Sequence, residues 1–126
     1  MESVLGIHEA ALLFRGQRMS VLATNLANAD TPHYKARDVE FGAVLADAAN
    51  RTKFAITHER HINAAPPAGV GSVKYRVPHQ PAQDGNTVEA DLELARYAEN
   101  AVAYQASLMF ANGKIATLRA ALTGSR

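Results

Sequence analysis

Two rows of apolar residues run through the first quarter of the chain. Leu5, Leu12, Met19 and Leu26 repeat every seven residues, and Ile7, Phe14 and Val21 form a second row offset by two. At about 100° per residue that offset is about 200°, so the spacing predicts a helix over 4–28 with apolar sides facing opposite ways. One side can pack on a helix of the same chain. The other, carrying Ile7, Phe14 and Val21, is expected to stay wet unless a neighbouring molecule covers it. Asn and Asp between Asn28 and Asp30 favour turns and Pro32 disfavours helix at Thr31, so the stretch is expected to stop there.

The far end carries the clearest pattern. Ala90, Leu94, Tyr97, Ala101, Tyr104, Leu108, Ala111, Ile115, Leu118 and Leu122 follow one another at alternating four and three residues, the spacing of a coiled-coil seam. Asn86 with Glu89 three residues on fits an N-cap and its capping-box partner. Asp91 and Glu93 suit the positive first turns, and Lys114 and Arg119 the negative end.

Between these stretches the signals weaken. Arg37 to Asn50 reads as a short helix with Phe41, Val44, Leu45 and Ala48 on one side, despite Gly42 within it. From Arg51 to Gly85 the chain is punctuated by Pro66-Pro67, Gly69, Gly71, Pro78 and Pro81. The two short alternating runs there, Phe54-Ala55-Ile56 and Val73-Lys74-Tyr75-Arg76-Val77, predict a small β-hairpin or an extended arm.

The expected fold class is therefore mainly α: an elongated rod of long N- and C-terminal helices, joined by an irregular middle with a short helix and short strands. Residues 1–30 with 86–123 form a discontinuous coiled-coil core in this reading, and 31–85 a connecting segment. Length supports it. A helix from Glu89 to Leu122 spans about 51 Å at 1.5 Å per residue, whereas a compact domain of this size has a radius of gyration of about 14 Å and a diameter of about 36 Å. Such a helix cannot fold inside a globule around a pocket.

Composition adds exclusions. The 126 residues are 48% hydrophobic, enough for a core and against disorder throughout. Lys plus Arg number 13 against 12 Asp plus Glu, with no block of one sign, so a nucleic-acid partner is not expected. No window nears the roughly 18 apolar residues of a membrane span, and Met1-Glu2-Ser3-Val4 lacks the basic start of a cleaved secretory signal. The chain has no cysteine, which excludes thiol chemistry and leaves the compartment open.

No catalytic or metal constellation emerges. His58-Glu59-Arg60-His61 places its histidines three apart, where a zinc helix needs four, and Pro66 and Pro67 follow closely; a polar turn is the better reading. His8, His33 and His79 are scattered without a nucleophile. Gly69-Val70-Gly71-Ser72-Val73-Lys74 lacks the spacing and the following helix of a phosphate loop. Asp38 with Glu40 and Asp91 with Glu93 lie two apart, off a common helix face, and read as solvated caps. Tyr97 and Tyr104 keep heptad spacing and lack flanking basic residues, so packing suits them better than base stacking. Asn25 and Asn28 are the least ordinary: two amides on one helix face cost propensity and offer donors and acceptors. No cofactor, metal or small-molecule substrate is expected.

Asn25-Leu26-Ala27-Asn28-Ala29-Asp30-Thr31-Pro32-His33-Tyr34 resembles the N-terminal signature of the bacterial flagellar basal-body rod and hook proteins. Tyr75-Arg76-Val77-Pro78-His79-Gln80-Pro81, Asp84-Gly85-Asn86-Thr87-Val88, Glu99-Asn100 and Tyr104-Gln105 narrow the likeness to the FlgB-type proximal rod subunits, over nearly the whole chain. The resemblance implies a non-enzymatic axial subunit whose terminal helices form an elongated antiparallel coiled coil, exported unfolded by the flagellar type III apparatus without signal cleavage. It implies assembly in the periplasm above the MS ring, and a share in transmitting motor torque. The partners it implies are other copies, related rod proteins, the hook-basal-body adaptor protein and the MS ring. One departure is His33, where the family pattern has Gly; if the turn needs a positive φ, His costs more there.

Subunit contacts are accordingly expected at Leu5, Ile7, Leu12, Phe14, Met19 and Val21, at Asn25, Asn28, Thr31, Pro32 and Tyr34 of the signature, and at Leu94, Tyr97, Tyr104, Leu108, Ile115, Leu118 and Leu122. The rival from another class is a helical-hairpin export chaperone or adaptor that receives a client helix on its apolar row.

Overall fold

The computed structural model describes residues 5–44, 46, 70–80 and 82–124. Two helices dominate: α1, Ile7–Ala27, and α2, Ala90–Thr123. Between them, β1, Arg37–Val39, pairs antiparallel with β2, Val73–Tyr75, in the register Arg37↔Tyr75, Asp38↔Lys74 and Val39↔Val73. Residues 41–44 form a helical turn.

The helices run antiparallel. Asn25 near the end of α1 meets Glu93 in the first turn of α2, the Arg15 carbonyl meets Asn100, and the rings of His8 and Phe110 stand 6.5 Å apart at the other end. At 1.5 Å per residue α1 is about 32 Å long and α2 about 51 Å, so α2 runs on past the start of its partner.

Several expectations are corrected. The short helix does not begin at Arg37: residues 37–39 are strand, because Asn25 holds the Arg37 N–H, Arg18 and Arg76 hold the Asp38 carboxylate, and β2 pairs with the segment. The run at Val73 finds its strand partner at β1, 34 or more residues upstream, so the ribbon is not a tight hairpin. The run Phe54-Ala55-Ile56, the later part of the predicted short helix and the motif His58-Glu59-Arg60-His61 lie outside the described residues.

The apolar row of Ile7, Phe14 and Val21 does not await a neighbour along its length. Phe14 is fully buried against Val39 and Val44, and Val21 and Phe41 pack on the same cluster. The Phe14 and Phe41 rings lie 4.7 Å apart, and the Arg15 guanidinium sits 4.7 Å from the Phe41 ring. The connecting segment thus covers this side of α1 at Phe14 and Val21; Ile7, about two turns before Phe14, stays half exposed. Burying Phe14 contributes about 3 kcal/mol. Gly71 allows the close approach of β2 to this core, since a Cβ there would collide with Val39. Gln17 secures it by donating to the Gly71 carbonyl and accepting from the Gly71 N–H, both at 2.9 Å.

The predicted seam of α2 is also displaced. The buried residues on this helix are Glu93, Asn100 and Ala111, whereas Leu94, Leu108, Ile115 and Leu122 are exposed. Tyr97, Tyr104 and Leu118 are half-buried at the margin. The face turned towards α1 carries Glu93 and Asn100, each one position from the apolar row, because Asn25 of α1, Arg76 just past β2 and Arg96 satisfy Glu93 and the Arg15 carbonyl receives Asn100.

Candidate functional site

The signature turn after α1 is built around Asn25, which is wholly buried. Its Nδ2 donates to the Arg37 carbonyl at 2.7 Å and to Glu93 Oε2 at 3.0 Å. Its Oδ1 accepts from the Arg37 N–H at 3.0 Å and from the Tyr34 hydroxyl at 3.3 Å. One amide therefore fixes the chain's return after α1 and ties both helices together. Its helix-propensity cost is offset by four hydrogen bonds, each worth about 1 kcal/mol net.

Asn28 closes the helix end more locally, donating to the Thr24 carbonyl at 2.8 Å and accepting from the Thr31 hydroxyl at 3.1 Å. Thr31 and Pro32 are exposed, and Tyr34 is half-buried. His33 does take a positive φ, 62°. Its N–H donates to the Asp84 carbonyl at 3.1 Å, and its ring lies against Gly85, where a Cβ would stand 2.9 Å from Nδ1. Gly85 itself has φ +76°, so neither the backbone nor the space there admits a side chain without strain.

Asn86 is not the cap of α2. The N-cap is Glu89, without a side-chain hydrogen bond. Buried Asn86 instead turns its Nδ2 to three carbonyls of the signature turn, Asn28 at 3.0 Å, Ala29 at 2.8 Å and Thr31 at 2.9 Å. Thr87 adds a rung on each side: its N–H donates to the Tyr34 carbonyl at 3.0 Å and its hydroxyl accepts from the Ala36 N–H at 2.7 Å. The two signature segments are thus one joint.

A chain of ion pairs extends that joint. Arg18 binds Asp38 through Nε at 2.9 Å and Nη2 at 3.0 Å, Arg76 binds Asp38 at 3.0 Å, and Arg76 and Arg96 both reach Glu93. Glu93 is only 1% exposed. The sequence expectation that Asp38 and Glu93 are solvated caps is therefore corrected, since the folded neighbours supply cations that spacing alone does not reveal. Burial pushes the Asp38 carboxyl up, but the Arg18 hydrogen bond, the Val39 N–H and the charges of Arg18 and Arg76 outweigh it and hold the group below its ordinary range. Asp38 in turn raises Arg18. Burial lowers Arg15, helped by nearby Arg18 and opposed by Glu99. At the exposed ribbon edge Lys74 lowers Glu40.

Sequence reasoning missed Arg18, Asp38, Arg76, Glu93 and Asn100. The available signal was Glu93 and Asn100 in heptad relation to one another, beside the apolar row.

Outside the joint, α2 exposes a series of large apolar side chains. Leu94, Val102, Leu108, Met109, Phe110, Ile115 and Leu122 of α2 are all exposed, Leu122 by 88%. Leu12, Met19 and Leu26 on α1, and Leu5 just before it, are half-buried. An open groove of about 410 Å³ runs between the helices, lined by Ala23, Leu26, Ala27, Leu94 and Tyr97. Exposed apolar surface of this extent marks a protein contact. Among the described residues no group of three metal-ligating side chains occurs, and no helix is long and apolar enough to cross a membrane.

A long helix pair locked by a buried polar joint, with an apolar flank turned outward, defines a structural assembly subunit. Comparison with known proteins makes this specific. The chain is 47% identical over 120 residues to the flagellar basal body rod protein FlgB of Cereibacter sphaeroides, covering 95% of this chain and 94% of that protein. It is 40% identical over 125 residues to FlgB of Escherichia coli, covering 91% and 89%, and 38% identical over 130 residues to FlgB of Proteus mirabilis, covering 97% and 95%. No protein-family model matches the chain. The chain belongs to the FlgB family: it is a structural subunit of the bacterial flagellar basal-body rod, not an enzyme, and acts at the basal body in association with other flagellar components.

Proposed function

We propose that the chain builds the proximal rod by packing the apolar flank of its helix pair against neighbouring subunits, and so helps carry motor torque along the axis. The observation that carries this reading is the exposed row on α2, in which Leu94, Leu108, Ile115 and Leu122 share one side at heptad spacing. Each such side chain contributes roughly 1.5–3 kcal/mol when fully buried, so a few of them offset the cost of ordering two subunits against each other.

The contact set is Leu5, Ile7, Leu12, Met19, Tyr97, Tyr104 and Leu118 with that row, with Thr31, Pro32 and Asn28 at the turned end. Phe14, Val21, Asn25 and Tyr34 serve the interface indirectly, by holding the connecting segment and the second helix in place. Other copies, related rod proteins, the hook-basal-body adaptor protein and the MS ring are the proposed partners. Passage through the type III apparatus without signal cleavage is the proposed route, and the periplasmic rod its destination. Coiled-coil packing is completed between subunits in this reading.

Mass spectrometry of basal bodies purified from the source bacterium tests it. The expected result is the chain, uncleaved, among the rod components. Its confinement to the cytoplasm in a one-to-one soluble complex would favour the chaperone reading instead.

A further inference from the structure

We propose that the open edge of β2 takes up one extended segment of a neighbouring basal-body polypeptide as a third strand, a segment apolar at alternate positions and carrying a carboxylate opposite Lys74. The proposal rests on the assembly reading only for where that segment comes from; the surface itself is separate from the helix flank.

The ribbon has two edges, and the fold closes one of them. The Arg76 N–H donates to the Ala36 carbonyl at 2.9 Å, one step beyond the pairs Arg37↔Tyr75, Asp38↔Lys74 and Val39↔Val73. In an antiparallel ladder, hydrogen-bonded pairs alternate with pairs whose peptide groups point away. Arg37, Val39, Val73 and Tyr75 therefore turn their N–H and C=O groups outward. On the β1 side the Asn25 amide takes the place of a strand, accepting from the Arg37 N–H at 3.0 Å and donating to the Arg37 carbonyl at 2.7 Å. The Val39 N–H there donates to Asp38 at 2.8 Å. Nothing matches this on the β2 side: among the described residues, no hydrogen bond outside the ladder reaches the backbone of Val73, Tyr75 or Val77.

The side chains along the open edge define what fits it. Val73, Tyr75 and Val77 alternate along the chain and are 44%, 74% and 86% exposed, so an incoming strand gains apolar contacts at every second position as well as backbone hydrogen bonds. Lys74 between them, with a largely exposed side chain that meets Glu40 at 2.6 Å, falls at the closer, non-hydrogen-bonded spacing to a third strand, where a carboxylate would pair with it. The same strand of a second copy does not qualify. The antiparallel registers that overlap most of residues 73–77 oppose Lys74 to itself or to Arg76, and like charges directly opposite are unfavourable. Pro78 ends the run, so the edge takes about five residues, about 17 Å of strand.

Hydrogen exchange of the full-length chain, free and in purified basal bodies, tests the proposal. In the free chain the Val73 and Tyr75 amides should exchange faster than those of Lys74 and Arg76, which face the ladder; in basal bodies they should slow by about tenfold or more. Tyr75→Pro removes one outward N–H and leaves the inner ladder intact. In a variant that keeps wild-type helicity and melting, it should abolish the slowing at Val73, whereas Tyr75→Ala, which keeps the N–H, should preserve it. Lys74→Ala should reduce the slowing by about two- to fivefold, the effect of one cross-strand charge pair. Unchanged exchange at Val73 and Tyr75 in basal bodies that contain the chain overturns the proposal and leaves the assembly reading intact, and this comparison needs no variant. Slowing that survives Tyr75→Pro, or that is indifferent to Lys74→Ala, contradicts it as well. Absence of the chain from purified basal bodies overturns both readings.

Discussion

The Asn25 amide donates to Glu93 at 3.0 Å across 68 residues of sequence, joining the last turn of the first helix to the first turn of the second. Both side chains are buried, and the same amide holds the Arg37 backbone through both its N–H and its carbonyl. Asn25→Ala leaves those groups unpaired and is expected to destabilise the chain by about 2–4 kcal/mol, read as a fall in the denaturation midpoint with unchanged m-value. Glu93→Ala, which takes from Arg76 one of its two carboxylates and from Asn25 the acceptor of one Nδ2 hydrogen bond, should cost about 2–3 kcal/mol. A double variant losing less than the sum of the two would show that they act as one unit.

The ribbon side of the joint predicts a pH dependence. Asp38 is held below its ordinary range when folded, so its contribution is fully present above the unfolded value of about 4 and is lost as pH falls through the lower folded value. Asp38→Asn should therefore cost about 1–2 kcal/mol at neutral pH, allowing for partial solvent screening. The gap between variant and wild type should narrow below about pH 4. Urea melts at pH 7, 4 and 3 check this; a constant gap would place the effect elsewhere.

His33 and Gly85 are predicted to be coupled. His33 has φ 62° and its ring occupies the space that a Cβ at Gly85 would take. His33→Gly should stabilise by about 0.5–1 kcal/mol through the backbone. Gly85→Ala should destabilise, and by less in the His33→Gly background, where the ring is gone. Thermal unfolding of the four chains measures the coupling, and strict additivity would contradict it.

Phe14→Ala tests whether the connecting segment truly caps the first helix. With Phe14 fully buried against Val39 and Val44, the expected loss is about 3–5 kcal/mol. Hydrogen exchange should accelerate at Val39 and Lys74 as well as in α1. An effect confined to oligomerisation, with the monomer's stability unchanged, would restore Phe14 to the outer surface.

Heptad spacing made the two long helices legible in the sequence, since α1 and α2 fall within a few residues of the expected spans, and the family resemblance implied their antiparallel pairing. The signature motif marked the right turn. Which faces turn inward was not legible, because that choice depends on partners distant in the chain. Glu93 and Asn100 look solvent-facing beside Leu94 and Ala101, and the partners that make their burial favourable, Asn25 and Arg76 for Glu93 and the Arg15 carbonyl for Asn100, are brought in only by the fold. Asn86 looked like a helix cap for the same reason: its three carbonyl partners lie 55 to 58 residues away. Strand β1 was hidden in a helix-like pattern, since three residues carry little periodicity and their ladder partner lies far downstream.

Cryo-electron microscopy of purified basal bodies, from cells in which this chain is the sole protein of its kind, tests the central claim most directly. The prediction is density at the base of the rod into which α1, α2 and the β1–β2 ribbon fit, with Leu94, Leu108 and Ile115 buried against neighbouring subunits. A complete rod from which the chain is absent, or one in which that row faces solvent, would contradict it.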